Sequence, residues 1–247
     1  MRIFRHRAAV ALPTDGFLSM VTIDQLRAIG DRSRTEAAIR GRCMVVPVDE
    51  HTAVCRILGR YKMYVDLRDR AFVPHLMFEG YWEYWITSFL WRNVAPGMTV
   101  LDLGANHGYY SILLADLVGE QGRVHAFEPN PRMLELLRDN VAVNGFWNVI
   151  EVHGAAVGAA PEPAAPLLVT VKDPKNAHLV SADEAAEAIV SAEQALHRVP
   201  VVTLDGTIDG PVDVVKIDIE GSEAAAWRGM QGLIARSPGI AIIVEFN

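Results

Sequence analysis

The chain has 247 residues, of which 51% are apolar and 21% are charged. This composition is typical of a globular protein with a substantial core, and the length fits one large domain or one domain with an N-terminal extension. The chain carries 23 basic and 30 acidic residues, a net charge of −7, which argues against a broad phosphate-binding face.

Cysteine content and hydropathy predict the compartment. Cys43 and Cys55 are too few for a disulfide framework or a cysteine metal cluster, which favours the reducing cytosol. The apolar run at residues 8–12 follows three arginines but is too short for a signal peptide. Because no apolar stretch approaches the roughly 20 residues of a membrane helix, we expect a cytoplasmic protein without a membrane span.

Residues 1–78 are predicted to form an N-terminal accessory region with mixed α and β structure. Apolar side chains at helical spacing predict a helix over residues 23–40, and residues 43–48 form a short apolar segment typical of a strand. Residues 53–58 and 61–67 alternate well around a short turn containing glycine, which predicts a β-hairpin.

An aromatic segment follows at residues 81–91. At helical spacing Trp82, Trp85 and Phe89 fall on one stripe. We interpret this stripe as the buried side of a helix packed on the main sheet, in preference to a surface that stacks on a substrate.

Residues 79–247 are predicted to form a second domain in which strands alternate with helices. The predicted strands are residues 99–103, 123–127, 149–152, 214–219 and 240–246. The predicted helices are residues 109–117, a helix capped by Asn130 and ended by Gly145, and residues 222–234. This alternation indicates an α/β fold with a doubly wound, mostly parallel sheet.

An insertion is predicted at about residues 158–198. Residues 158–166 are rich in proline and alanine and predict a loop, and residues 167–171 predict a strand. Residues 183–197 are rich in alanine and predict a helix. We expect residues 172–197 to lie on the surface, near the mouth of the ligand site.

The most informative motif is VLDLGANHGYYS at residues 100–111, a strand, a glycine turn and a helix start. Such a turn brings backbone N–H groups close to a ligand. Asn106 stands where a dinucleotide-binding turn has its second glycine, and no Gly-Lys pair of a P-loop follows. The D-x-G-x-x-x-G pattern of Asp102, Gly104 and Gly108 fits the turn of enzymes that use S-adenosyl-L-methionine (SAM).

The next strand ends at Glu128, whose carboxylate offers two acceptor oxygens to the two hydroxyls of a ribose. Together with the glycine turn, this acid predicts a protein that binds an adenosine-containing cofactor, SAM. The predicted cofactor-binding residues are Asp102, Gly104, Ala105, Asn106, Gly108, Glu128, Pro129, Ala155, Ala156, Asp218 and Glu83.

Further motifs follow in a set order: HAFEPNP at residues 125–131, VVTLDG at residues 201–206 and VDVVKIDIEGSE at residues 212–223. With the glycine turn they make residues 80–247 resemble the FkbM family of SAM-dependent methyltransferases. The resemblance implies a Rossmann-like methyltransferase sheet. It also implies O-methylation of hydroxyl groups on sugars, glycans or polyketide-type natural products.

The resemblance also implies an acceptor site after the fourth strand, at Asp218 and Glu220. Asp218 could bind the amino end of the cofactor or act as a base, whereas Glu220 could cap the next helix, hold a metal or act as a base. Glu245 and His107 are further candidate bases, each with a solvent-exposed position as the alternative. If Mg²⁺ takes part, Asp218 and Glu220 are its expected ligands.

Two other classes of function remain as alternatives. Adenine-N6 and related nucleic-acid methyltransferases carry [DNS]-P-P-[YFW] after the fourth strand, where this chain has Asp218-Ile219-Glu220-Gly221. This difference and the acidic charge favour a small-molecule or glycan acceptor and no nucleic acid. The third class is a non-catalytic SAM-binding module of a larger polypeptide.

The last predicted strand, residues 240–246, leads to a final expectation. Enzymes of this fold usually continue with a helix and an antiparallel hairpin that pairs beside this strand, and that hairpin is missing from this sequence. A long apolar edge invites pairing with another chain. We therefore expect the strand to be covered by further domains of a longer polypeptide, by the hairpin at residues 53–67, or by a second copy in a homodimer.

Overall fold

The computed structural model describes residues 19–170, 173–188 and 194–245. The apolar run at residues 8–12, the ends of the strands predicted at 167–171 and 240–246, and the middle of the helix predicted at 183–197 lie outside the described residues. Within these ranges, no helix has the length and apolar character needed to cross a membrane.

The N-terminal region begins with two helices where one was predicted. Helix α1 (Ile23–Ile29) starts at a capping box between Thr22 and Gln25, and Gly30, at φ +69°, ends it. Asp31 then caps helix α2 (Arg32–Arg40). The prediction of a continuous helix was wrong because Gly30 adopts the left-handed conformation that terminates a helix.

A three-stranded antiparallel sheet follows. Its strands are β1 (Val45–Pro47), β2 (Thr52–Ile57) and β3 (Tyr61–Asp66), in the order β1-β2-β3. Strands β2 and β3 pair from Thr52 with Asp66 to Ile57 with Tyr61, which confirms the predicted hairpin. Two helices, α3 (Val73–Phe78) and α4 (Tyr84–Asn93), connect this sheet to the rest of the chain.

Helix α4 corrects the prediction of a buried aromatic stripe. Trp85 is 65% exposed and Phe89 is 42% exposed, whereas Ile86, Leu90 and Trp91 are buried. Apolar residues occupy nearly every side of this helix, so their spacing could not identify the side that faces the core.

The next elements build most of the central sheet. They are β4 (Thr99–Leu103), α5 (Tyr109–Val118), β5 (Arg123–Phe127), α6 (Pro131–Asn144) and β6 (Ile150–His153). Asn130 caps α6 through the N–H of Arg132, and Gly145 ends the helix, as predicted.

The insertion forms a second sheet. Its elements are β7 (Ala156–Val157), β8 (Glu162–Thr170), β9 (Asp173–Leu179), α7 (Ala182–Ala188) and β10 (Gln194–Val202), with strand order β7-β10-β8-β9. The predicted loop at 158–166 therefore runs into a strand, and of the predicted helix at 183–197 the described residues 183–188 are helical and 194–197 belong to a strand. Strand pairing has overridden the helical preference of the alanine-rich sequence. Pro163 is tolerated because it lies where the pairing of β8 with β10 shifts register.

The chain then returns to the central sheet through α8 (Leu204–Thr207), β11 (Val214–Ile217), α9 (Glu223–Arg228), α10 (Gln231–Arg236) and β12 (Ala241–Val244). The helix predicted at 222–234 is thus two short helices. The chain turns at Gly229, where an added Cβ would lie 2.1 Å from the carbonyl oxygen of Gly158.

All five strands of the central sheet are parallel, in the order β12-β11-β4-β5-β6. One face buries Val100, Val124 and Val214 against apolar residues of α5 such as Leu113, and the other buries Leu103 and Ile217 against Leu233 of α10. This arrangement confirms the predicted doubly wound, mostly parallel α/β fold.

Strand β12 lies at one end of this sheet. Over the described ranges it pairs with β11 alone. The hairpin of β2 and β3 belongs to the separate N-terminal sheet, so the expectation that it covers β12 was wrong. Cover by a second copy or by further domains stays a prediction.

Candidate functional site

A cavity opens at the carboxyl ends of the central strands, between the glycine turn and the inserted sheet. Its predicted lining residues are Gly104, Ala105, Asn106, Glu128, Pro129, Ala155, Ala156, Asp218, Glu220 and Glu245. Sequence reasoning did not identify the other lining residues as part of the site: Phe72, Trp82, Tyr109, Tyr110, Phe127, Val157, Leu167, Ala177, His178, Leu179, Lys216, Ile219 and Ser222. The cavity lies where open parallel sheets bind ligands.

The glycine turn packs directly against the end of β11. Gly104 has φ +77°, and a Cβ there would lie 1.8 Å from the carbonyl oxygen of Asp218. Any side chain at this position would therefore push the cofactor turn away from the acids that follow β11. Gly108 was predicted to bind the cofactor but lies behind the cavity, where a Cβ would come within 2.6 Å of Leu137 in α6.

Glu128 is held in one orientation at the end of β5. Its Oε2 accepts the N–H of Asn106 and its Oε1 accepts the N–H of Asn130, both at 2.8 Å. Burial raises the pKa of Glu128 to about 7, although these two backbone hydrogen bonds favour the charged form. Each oxygen keeps a second lone pair, which matches the two donors of a ribose.

Asp102 and Lys216 lie buried beneath the cavity, where burial raises the pKa of Asp102. The Ser111 hydroxyl donates to Asp102 at 2.6 Å, and the Lys216 Nζ lies 3.8 Å from Asp102 and 3.0 Å from Asp218. Asp102 was predicted to bind the cofactor directly. It is fully buried and outside the lining of the cavity, so its side chain lies beneath the ligand site and not in it.

The charge on Lys216 is stabilised by its partners. Burial alone would lower the pKa of Lys216, but the nearby carboxylates of Asp218 and Asp102 outweigh burial and raise it. The ammonium group also lies 4.7 Å from the centre of the Tyr110 ring. Lys216 therefore stays protonated and orients Asp218.

Three acids that follow β11 and β12 line the rim of the cavity: Asp218, Glu220 and Glu245. Asp218 follows β11, and Glu245 follows β12. Partial burial and the charges of Asp218 and Glu83 raise the pKa of Glu245. Glu220 adopts φ +42°, and helix α9 has Ser222 at its N-cap, so Glu220 does not occupy the capping position that was one of its predicted roles.

The structure corrects both interpretations of His107, as a base facing the acceptor and as an exposed residue of the turn. Its side chain is fully buried, and Nε2 accepts the N–H of Asp66 at 3.2 Å. Nδ1 therefore carries the proton and donates to the Oδ1 of Asn106. Burial lowers the pKa of His107 to about 4, so it stays neutral and links the cofactor turn to β3.

Glu83 was predicted to cover the cofactor. It lies outside the lining of the cavity, and its Oε2 accepts the hydroxyl of Tyr110 at 2.8 Å. Glu83 adopts φ +34° at the residue before α4, so its backbone is held in a costly conformation. It therefore positions Tyr110, which does line the cavity.

These residues fit SAM better than they fit a divalent metal. The narrow turn, the fixed Glu128 and the small side chains of Ala155 and Ala156 match an adenosine group, and the acids at the rim match the positive charge of the sulfonium. Asp218 already pairs with the ammonium group of Lys216 at 3.0 Å, which disfavours Mg²⁺ beside it.

Comparison with known proteins identifies the family of this chain. The family profile described as "Methyltransferase FkbM domain" matches residues 102–247. Protein-L-isoaspartate O-methyltransferase of Methanococcoides burtonii is 37% identical over 72 residues, which cover 29% of this chain and 36% of that protein. The enzyme of the same name from Aeropyrum pernix is 40% identical over 89 residues, covering 30% and 34%.

Among solved structures, the methyltransferase FkbM of Methylobacillus flagellatus is similar to this chain, with 23% identity and a TM-score of 0.42. The match covers 59% of this chain and 32% of that one. The chain thus spans about a third of the length of each of these relatives. Because the family profile covers more than half of the sequence, this chain belongs to the FkbM family of SAM-dependent methyltransferases.

Proposed function

We propose that this protein transfers the methyl group of SAM to a hydroxyl group of a sugar, glycan or polyketide-type small molecule. The observation that carries this proposal is the placement of Asp218, Glu220 and Glu245 around the same cavity as the cofactor turn. A hydroxyl acceptor must lose a proton during methylation, and a carboxylate next to the acceptor can accept that proton.

When bound, SAM supplies the methyl carbon and a sulfonium leaving group. The glycine turn and Glu128 would hold the adenosine end, and Asp218, fixed by Lys216, would bind the amino end of the cofactor. Glu245 and Glu220 would then face the acceptor. One of these two carboxylates would accept the proton that the acceptor hydroxyl loses as its oxygen is methylated.

The aromatic side chains that line the cavity favour an acceptor molecule that is ring-shaped or extended and apolar. Trp82, Tyr109 and Tyr110 line one side of the cavity, and Leu167 and Leu179 of the inserted sheet line another. Aromatic faces pack well on the C–H faces of sugars and on polyketide rings. The net charge of −7 and the residues Asp218-Ile219-Glu220-Gly221 argue against a nucleic-acid acceptor.

The first experiment is a transfer assay with SAM labelled in its methyl group, against sugars, glycolipids and polyketides. An isoaspartyl peptide and tRNA serve as comparison acceptors. We expect label in an ether that resists mild base, unlike a methyl ester. Transfer only to the peptide or only to tRNA would overturn the proposal.

The role of the rim acids gives a prediction. Glu220→Gln and Glu245→Gln should lower kcat while leaving the Kd for SAM within about twofold, because a base acts in the transition state. Asp218→Asn should weaken SAM binding as well, and Glu223→Gln, which removes a neighbouring acid outside the cavity lining, serves as the control. Full turnover in both Glu220→Gln and Glu245→Gln would show that neither residue is the base.

A further inference from the structure

Three side chains at the outer end of the central sheet bring their ligand atoms within 4.8 Å of one another. His125 lies on β5, and Glu151 and His153 lie on β6. The Nδ1 of His125 is 3.2 Å from the Nε2 of His153, and these nitrogens lie 3.5 Å and 3.7 Å from the two carboxylate oxygens of Glu151. None of the three lines the cavity of the proposed methyl transfer.

Strand pairing places the three groups on one face. His125 pairs with Glu151, and Phe127 pairs with His153, so residues 125, 151 and 153 point to the same side of the sheet. The His153 ring stacks on Phe127 with centroids 4.3 Å apart and an interplanar angle of 11°, and the His125 ring stacks on His153. The imidazoles are therefore held in place by packing before any ligand arrives.

The spacing of these atoms matches a tetrahedral metal ion. Zn–N and Zn–O bonds of about 2.0–2.1 Å at tetrahedral angles separate ligand atoms by about 3.3 Å. The nitrogen–nitrogen separation of 3.2 Å lies close to that value, and the nitrogens lie 3.5 and 3.7 Å from two different oxygens of Glu151, of which one would serve as the third ligand atom.

The chemistry of the donors indicates the class of metal. Imidazole favours Zn²⁺ and related transition metals, whereas Mg²⁺ and Ca²⁺ prefer oxygen ligands. Glu151 is largely exposed, with 56% of its side chain open to solvent, which leaves a fourth ligand position for water.

We propose that His125, Glu151 and His153 form a binding site for a divalent transition metal, with Zn²⁺ as the best fit. The site joins the edge strand β6 to β5. The carbonyl of His153 accepts the N–H of Glu128 at 3.0 Å, and Phe127, which stacks on His153, lines the cofactor cavity. Metal binding would therefore brace the segment that presents Glu128 to the cofactor.

The test uses the full chain without an affinity tag, stripped of metal by a chelator and then titrated with Co²⁺ and Zn²⁺. We expect one equivalent of Co²⁺ to give the intense visible absorption of a tetrahedral ion, and Zn²⁺ to displace it. Glu151→Gln and His153→Gln should weaken Zn²⁺ binding in calorimetry at least tenfold. His51→Gln, at an exposed histidine outside the group, is the matched control and should bind like the parent protein.

The outcomes separate the alternatives without reference to methyl transfer. If the parent protein binds no Co²⁺ or Zn²⁺, the two histidines share only a hydrogen bond and the proposal is overturned. The proposal also fails if Glu151→Gln retains the parent affinity and spectrum, because this exposed residue can be changed without disturbing the core. A rise of the parent protein's Tm with Zn²⁺ that His153→Gln lacks would support the site.

Discussion

Glu128 is a buried acid whose charge depends on pH in the neutral range. Burial raises its pKa to about 7, and the charged form accepts ribose hydroxyls better than the neutral acid does. We predict that SAM affinity increases as pH rises from about 6 to about 8, as measured by calorimetry. Glu128→Gln should bind SAM more weakly by about 1.5–3 kcal/mol at the upper pH and should lose the pH dependence. Equal Kd values for SAM in the parent protein and in Glu128→Gln would show that Glu128 does not bind the cofactor.

The buried, neutral His107 leads to a prediction about the free energy of unfolding at acidic pH. Its pKa is about 4 in the folded protein against an ordinary 6.5, so between these values the unfolded chain binds more protons. The lowered pKa of His107 makes the free energy of unfolding depend on pH by on the order of 3 kcal/mol. This contribution is complete above pH 6.5 and is lost as pH falls toward 4. Glu128 acts in the opposite direction over part of this range, because its pKa is raised.

Comparing the parent protein with His107→Gln removes the contribution of Glu128, which both proteins share. The variant should lose less free energy of unfolding between pH 6.5 and about 4 than the parent does, as measured by urea titration at each pH. Parallel pH profiles would show that His107 is not the neutral, buried group described above.

Much of the candidate site could be predicted from single residues. Gly104, Glu128 and Asp218 each follow a recognisable apolar strand, and parallel strands bring their carboxyl ends together. His107 and Asp102 could not be placed, because a sequence does not show which side of a turn or strand faces the cavity. His178 and Leu179 were missed as site residues, since they reach the cavity through strand pairing within the insertion.

Helix α6 closes the open edge of the N-terminal sheet with two asparagines. The side chain of Asn140 accepts the N–H of Tyr64 and donates to its carbonyl, and Asn144 pairs with Lys62 in the same way. Four residues along a helix and two along a strand span about 6.0 and 6.6 Å, so the two spacings match. The two amides thus take the place of a neighbouring strand beside β3.

We predict that Asn140→Ala lowers the free energy of unfolding by about 2–4 kcal/mol. Asn140 is fully buried and also donates to the carbonyl of His107, so the change leaves several buried backbone groups without partners. Asn93→Ala in α4 removes one exposed hydrogen bond and should cost much less. Urea denaturation compares the two variants, and equal midpoints would contradict the prediction.

The elements that could be predicted have local signals. The hairpin of β2 and β3, and the sequence from β4 to α6, show clear alternation, glycine turns and caps. Residues 194–197 at the start of strand β10 were predicted as the end of a helix because their sequence suits a helix, and the pairing of β10 with β7 and β8 depends on distant segments. Long-range pairing of this kind leaves no signal in a short window.

The hydrophobic clusters of the molecule differ in size. One cluster joins Leu26, Met63 and Leu76 of the N-terminal region to Val100 of the central sheet and Leu113 of helix α5. The inserted sheet has a small cluster of its own, which contains Leu167, Val169 and Val199. The N-terminal region therefore shares its stability with the central sheet, whereas the insertion has few apolar contacts to hold it.

We predict that backbone amides of β8 and β9 exchange with deuterium at least tenfold faster than those of β3 and β4. The small separate core allows the inserted sheet to open without global unfolding. Hydrogen-exchange mass spectrometry measures this directly, and SAM should slow exchange at Leu179, which lines the cavity. Earlier exchange in β3 than in β8 would show that the N-terminal region opens independently.

The bond between the Asp66 N–H and His107 has a consequence for regulation at a distance. Because β3 helps to fix the cofactor turn, any ligand that favours the ordered turn must also favour the ordered N-terminal sheet, by the reciprocity of linked equilibria. Asp66 is in turn held by Arg68 and Arg132. A molecule that binds the N-terminal sheet far from the cavity could therefore raise or lower the affinity of the protein for the cofactor without contacting the cofactor.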